Sequence, residues 1–214
     1  MFDPWHLVLF LAAAGALAVM PGPGIFYVAA RTLAGGRGEG LASSFGTGLG
    51  GFVHILGGAI GVSALVLASA EAFTALKFVG ALYLIYLGIK TWRQAVRDAD
   101  AATHVTGGTA IGTRRAFKEG VVVEALNPKT AAFFLAFLPQ FVVLEAGHVA
   151  LQFIALGAIS VAMNTAVDVV VTYGAAALRD RLAARPGIIT RMRQASGALL
   201  CALGVTLALA RRPA

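Results

Sequence analysis

Six long apolar stretches follow one another along the chain, separated by polar segments. They run Leu7–Leu33, Leu41–Ala70, Phe73–Trp92, Val121–Leu144, Val149–Leu178 and Ala195–Ala210. A helix crosses a bilayer with roughly 20 mostly apolar residues, so each stretch predicts a spanning helix. The third carries Lys77 near one end, where a long aliphatic stem lets the ammonium reach the interface. The sixth is short, but the chain is uncharged from Gln194 to Ala210, close to the lower limit of about 17 residues. Two linkers are longer and polar: residues 93–119 after the third stretch and residues 179–193 after the fifth, the latter suited to lie along a membrane surface.

Two spans are interrupted. The first contains Met20-Pro21-Gly22-Pro23-Gly24, and the fourth contains Asn127-Pro128-Lys129. Proline removes a helix hydrogen bond and clashes with the preceding turn. Open backbone in lipid is costly unless it is buried in protein or lines a watery cavity. The breaks at Pro21, Gly22 and Pro23 and at Asn127 and Pro128 therefore mark a candidate substrate site. Helices resuming after them start with N–H groups that attract anions, and Lys129 sits beside one of those starts. A carboxylate site is one reading of Lys129. The other is a lysine that snorkels to a nearby surface, since Lys118 is close in sequence.

The two halves of the chain also match at fixed spacing. A shift of 107 residues sets Pro21 on Pro128, Phe26 on Phe133, Leu49 on Leu156 and Gly50 on Gly157. The third spans pair as Phe78–Gly88 with Ala195–Gly204. An odd number of spans per half turns the second half over in the membrane. Inverted repeats with helices broken at matching positions are a transporter pattern. The expected fold is an all-α integral membrane protein, one transmembrane domain over 1–214, with six transmembrane helices as two inverted three-helix repeats (about 5–92 and 119–211), spans 1 and 4 broken at proline.

Composition agrees with a membrane chain: 58% of residues are hydrophobic and 13% charged, against about 25% charged in soluble domains. The net charge of +7 suggests nucleic acid only until the charges are placed. Arg31, Arg37, Lys90, Arg93, Arg97, Arg114, Arg115, Lys118, Arg179, Arg181, Arg185, Arg191 and Arg193 all fall on one side of a six-span chain. Lys77, Arg211 and Arg212 fall on the other. The positive-inside rule places the first group in the cytoplasm and both termini outside it; no nucleic-acid partner is expected. The N-terminus lacks a basic segment, so no cleavable signal peptide is expected and the first span is retained. The lone cysteine, Cys201, excludes an internal dithiol pair and reads as a small buried apolar residue.

Several polar residues lie inside spans. Asp168 sits deep in the fifth, and Ser160, Asn164, Asp168 and Thr172 recur every fourth residue, on one helix face. A charged Asp mid-membrane is costly and tends to face the bundle interior. It reads as a carrier of the coupling proton or a partner of a substrate ammonium, with Asn164 beside it, or as a structural partner of Lys129. Glu124, one turn before Pro128, is a second proton site, a partner of Lys129 or a solvated interface residue. Gly46, Gly50, His54 and Gly58 form a stripe whose small residues let backbones approach. The stripe serves packing within one chain or between copies in a homo-oligomer. His54 on it is a site residue or a hydrogen-bonded core histidine. Trp5 and Trp92 read as interfacial anchors. Scattered histidines and the absence of a nucleophile motif give no enzyme signature and call for no cofactor or resident metal.

Met20–Gly24 followed by Arg31–Leu41, Tyr83–Arg93 and Glu124–Val142 resemble, in order and over nearly the whole chain, the LysE/RhtB family of bacterial amino-acid exporters. The resemblance implies a six-helix protein of the bacterial cytoplasmic (inner) membrane that exports amino acids or related small zwitterions, driven by the proton gradient. Family members commonly carry Asn or Asp after Pro-Gly-Pro, where this chain has Gly24. The competing expectations are an exporter of metal ions or small organic cations, with Glu124, Asp168 and His54 around the cation, and a non-transporting membrane scaffold.

Overall fold

A computed structural model describes residues 4–68, 70–100, 109–177 and 186–209. Leu178, Ala210, His104 and the linker or terminal arginines 179, 181, 185, 211 and 212 lie outside the described residues.

Helix α1 spans Pro4–Val19. The chain breaks over Met20–Gly22, and α2 resumes at Pro23, running to Ala68 with one non-helical residue, Gly36. Proline suits the first position of a helix because its missing N–H has no intrahelical partner there. At Gly36, φ is 76°, a left-handed value that glycine adopts without penalty. The chain doubles back at this point. A side-chain carbon at Gly40 would meet the Thr32 hydroxyl, and one at Gly24 would lie 3.8 Å from Thr47 Cγ2. Pairs centred on residue 36 touch only if two antiparallel limbs pack together. The first limb continues the first apolar stretch, and the second limb carries the next.

The remaining helices are α3 (Ala70–Asp100), α4 (Thr113–Ala125), α5 (Pro128–Ala132), α6 (Val149–Ala177) and α7 (Pro186–Leu209). Helix α5 runs on into a π-helical turn, Phe133–Phe137, and a 3₁₀ turn, Leu138–Phe141. Among the described helices, α6 alone is long and apolar enough to cross a membrane. Pro4–Val19 with Pro23–Gly61, and Thr113–Ala125 with Pro128–Phe141, meet that standard as bent pairs, the second bent by 40°. Helices α3, α4 and α7 extend beyond the apolar stretches that announce them. Hydropathy registers only their lipid-compatible part, whereas a helix continues into the polar zone while its hydrogen bonds and packing persist.

Helix α4 starts eight residues before the predicted span, through Arg114, Arg115 and Lys118. Its N-cap, Gly112, offers no side chain. The buried carboxylate of Glu39 takes over that role: Oε1 accepts the N–H of Ile111 at 2.7 Å and of Gly112 at 2.6 Å. A carboxylate at a helix N-terminus complements the dipole and otherwise unpaired donors. Arg31 Nη1 lies 3.6 Å from Glu39 Oε2 and donates to Thr109 O at 3.3 Å. Tyr27 donates to Ala116 O at 2.9 Å. The α2 hairpin thus clasps the start of α4.

The glycine stripe is a contact surface. Carbons added at Gly46 and Gly50 would meet the carbonyls of Phe117 and Val121 on α4, and one at Gly58 the Phe153 ring on α6. Gly48 and Gly51, on another face of the same limb, abut Thr165 and Val161 of α6. Gly57 has open space around it. Gly46→Val should therefore cost about 2–3 kcal/mol, the order found for overpacking, read as a lower midpoint for thermal unfolding in detergent. Gly57→Ala should leave that midpoint within a degree or two of wild type.

Two apolar cores flank the breaks. Phe10, Leu17, Ile55, Phe133, Phe134 and Phe153 belong to one, and Met20, Leu84, Ala132, Ala136, Leu200 and Leu203 to the other. The outer surface is also apolar: Ile60, Val79, Leu82, Leu151 and Val170 are all exposed. A soluble protein rarely presents so much.

Candidate functional site

The two helix breaks face each other, joined by one side chain. Lys129 is buried, and its ammonium donates to Met20 O at 3.0 Å and to Leu17 O at 3.2 Å. Those carbonyls close the C-terminal end of α1, where a cation is favoured. Lys129 therefore does not snorkel to a surface: its ammonium is held at the first break, against the carbonyls that end α1 and beside Gly22 at the start of α2. It ties the second break to the first. Gly22 makes room for its stem: a carbon added there would lie 3.3 Å from Lys129 Cδ and Cε.

The start of α5 is capped from within. Asn127 Oδ1 accepts the Lys129 N–H at 3.1 Å, with Pro128 at the first helical position. Asn127 Nδ2 donates to Glu124 Oε2 at 2.9 Å, and Thr130 Oγ1 to Glu124 Oε1 at 2.6 Å. Glu124 is thus a buried carboxylate with both oxygens engaged, not an interface residue and not an ion-pair partner of Lys129. It lies against glycine on both sides: added carbons at Gly24 and Gly50 would come within 2.8 Å of Oε2 and 2.9 Å of Cβ. The space beside Gly24, the residue after Pro-Gly-Pro, is taken by the Glu124 carboxylate. His54 Nε2 pairs with the Glu124 backbone oxygen at 2.7 Å, so His54 braces the end of α4 and does not join the carboxylates.

Asp168 is fully buried in α6. Its Oδ2 pairs with Thr47 Oγ1 at 2.8 Å, while Oδ1 has no hydrogen-bond partner. Its contact is this hydroxyl, not Lys129. One turn on, Thr172 pairs with Ser44 at 3.1 Å. At the other end of the stripe, Ser160 and Asn164 line a small cavity with Thr47, Glu124, Thr130 and Phe134. Its volume is about 10 Å³, room for roughly one water molecule. Anything of amino-acid size must part these helices to enter.

Of the residues singled out from sequence, Glu124, Asn127, Pro128, Lys129, Asn164 and Asp168 gather around this cavity and the breaks, with His54 behind Glu124. Pro21 and Gly22 form the first break. Pro23 is exposed and only starts a helix. Sequence reasoning passed over Thr47, Thr130 and Glu39. A signal for each was present: Thr47 and Ser44 are polar residues three apart in an apolar span, Thr130 follows Asn-Pro-Lys directly, and Glu39 is the one acid between Asp3 and Glu71. Among the described residues, no three His, Cys, Asp or Glu side chains gather as a metal site.

The chain is 34% identical over 215 residues to a homoserine/homoserine lactone efflux protein of Salmonella typhimurium, covering 98% of each chain. It is 32% identical over 205 residues to an uncharacterized membrane protein of Vibrio cholerae, covering 94% of this chain and 96% of the other. No solved structure matches it. The family model for LysE type translocators matches residues 15–211, and with it the chain belongs to the LysE type translocator family.

Proposed function

We propose that this protein exports homoserine or a closely related small zwitterion across the bacterial cytoplasmic membrane by alternating access, with proton influx as the driving force. The observation that carries this reading is the pair of facing helix breaks around a water-sized cavity bordered by Glu124 and, through Thr47, by Asp168. Substrate passage through a cavity that small requires the α2 hairpin and the α4–α6 segment to separate. The homoserine efflux relative supplies the substrate class. Six spans are counted as α1 with the first limb of α2, the second limb, α3, α4 through Phe141, α6 and α7. The inverted-repeat reading draws support from breaks at corresponding places in the two halves and from α3 packing on α7. Termini outside the cytoplasm follow from the positive charge on the loops.

Roles divide by chemistry. Asp168 exchanges the coupling proton. Glu124, Thr130, Ser160 and Asn164 offer hydrogen bonds to the substrate's ammonium and hydroxyl groups. Lys129 fixes the breaks. The test is efflux: bacteria expressing the protein and loaded with homoserine-containing dipeptides should release homoserine faster than empty-vector cells. Equal release, with the protein verified in the membrane, would reject homoserine export.

A further inference from the structure

A single hydroxyl proton on Thr47 faces two acceptors. Thr47 Oγ1 lies 2.8 Å from Asp168 Oδ2 and 2.8 Å from Ser44 O, the latter within its own helix. Thr47 is buried and lines the cavity. One proton cannot serve both acceptors at once. If Asp168 is ionised, Thr47 must turn its O–H to Oδ2. If Asp168 is protonated on Oδ2, the carboxyl donates and Thr47 must accept, sending its own O–H to Ser44 O. The same two distances accommodate either arrangement without moving a heavy atom.

We propose that Thr47 is a positioning residue for proton coupling: its hydroxyl switches direction with the protonation of Asp168 and so lets this carboxyl hold or release a proton inside the closed bundle. The inference rests on the transport reading above. The proton that leaves Asp168 Oδ2 goes to water that reaches the carboxyl when the helices part, and the Thr47 hydroxyl turns toward Oδ2 without losing its own proton. The charged groups acting on Asp168 are Glu124 from α4 and Lys129 from α5, and both have their own hydrogen-bond partners. From α2 it receives a hydroxyl. Switching thus falls to Thr47 rather than to an ion pair.

Two transport modes separate this role from plain packing. Net efflux of homoserine driven by an inward proton gradient requires Asp168 to load and unload its proton in each cycle. Exchange of labelled for unlabelled homoserine across the same proteoliposome does not require net proton movement. Thr47→Val, which keeps the shape and removes the hydroxyl, should lower net efflux about tenfold more than it lowers exchange, the order expected for losing a hydrogen bond to a charged group. Thr47→Ser should restore the ratio. Thr47→Ala, which cannot clash, repeats the comparison should the valine variant fail to fold. An equal fall in both modes, or no fall in either, overturns the proposal. Wild-type protein inactive in both modes rejects homoserine transport itself, and the inference with it.

Discussion

Asp168→Asn should abolish net export while leaving the amount of membrane-inserted protein unchanged. The substitution is isosteric, and an amide oxygen still accepts from Thr47 at the 2.8 Å position, so the packing of α6 on α2 is preserved. Insertion gains rather than loses, because a charged Asp at a helix centre costs roughly 2.5–3.5 kcal/mol on insertion scales. What disappears is the ability to bind and release a proton in a site that is fully buried. A fall in homoserine efflux of about a hundredfold is expected, equivalent to about 2.7 kcal/mol on the barrier. Exchange should fall less, since it requires no net proton movement. Wild-type net efflux in Asp168→Asn would remove this residue from the coupling mechanism and leave Glu124 as the carboxylate to test.

The candidate site was legible in sequence as chemistry, and much less so as partnership. Proline and glycine at Met20–Gly24 and Asn127–Pro128 announced both breaks because backbone chemistry there is local. The four-residue spacing of Ser160, Asn164, Asp168 and Thr172 announced a buried polar face because helix periodicity is local too. Which side chain each of these would meet is a tertiary matter. Nothing within the span around Lys129 says that its ammonium reaches back to carbonyls near residue 20, since the turn bringing those segments together is set by packing elsewhere. The same holds for Glu39, which caps a helix more than seventy positions away. Helix ends are hidden for a different reason: apolar runs report what lipid covers, so the charged first turns of α4 resemble a linker in sequence. The tight reversal at Gly36 was hidden among several glycines, of which only this one needs a positive φ in that segment.

Lys129→Met separates the structural role of this lysine from the substrate role that the sequence first suggested. Methionine keeps the slim unbranched stem that passes Gly22 and loses the ammonium. The carbonyls of Leu17 and Met20 then lose their 3.2 and 3.0 Å donor, and buried acceptors stripped of a charged donor cost about 2–4 kcal/mol in total. The expected result is a clearly lower thermal midpoint in detergent together with reduced transport at every substrate concentration. Lys129→Arg should not restore stability: the guanidinium is a broad planar fork, whereas the Leu17 and Met20 carbonyls converge on one compact ammonium. If Lys129 instead held the substrate carboxylate, Lys129→Met would raise the KM for homoserine and leave the midpoint where it was. A compact point charge is what the closed breaks require, because two carbonyls at the end of α1 converge on one position and the ammonium can donate to both at once.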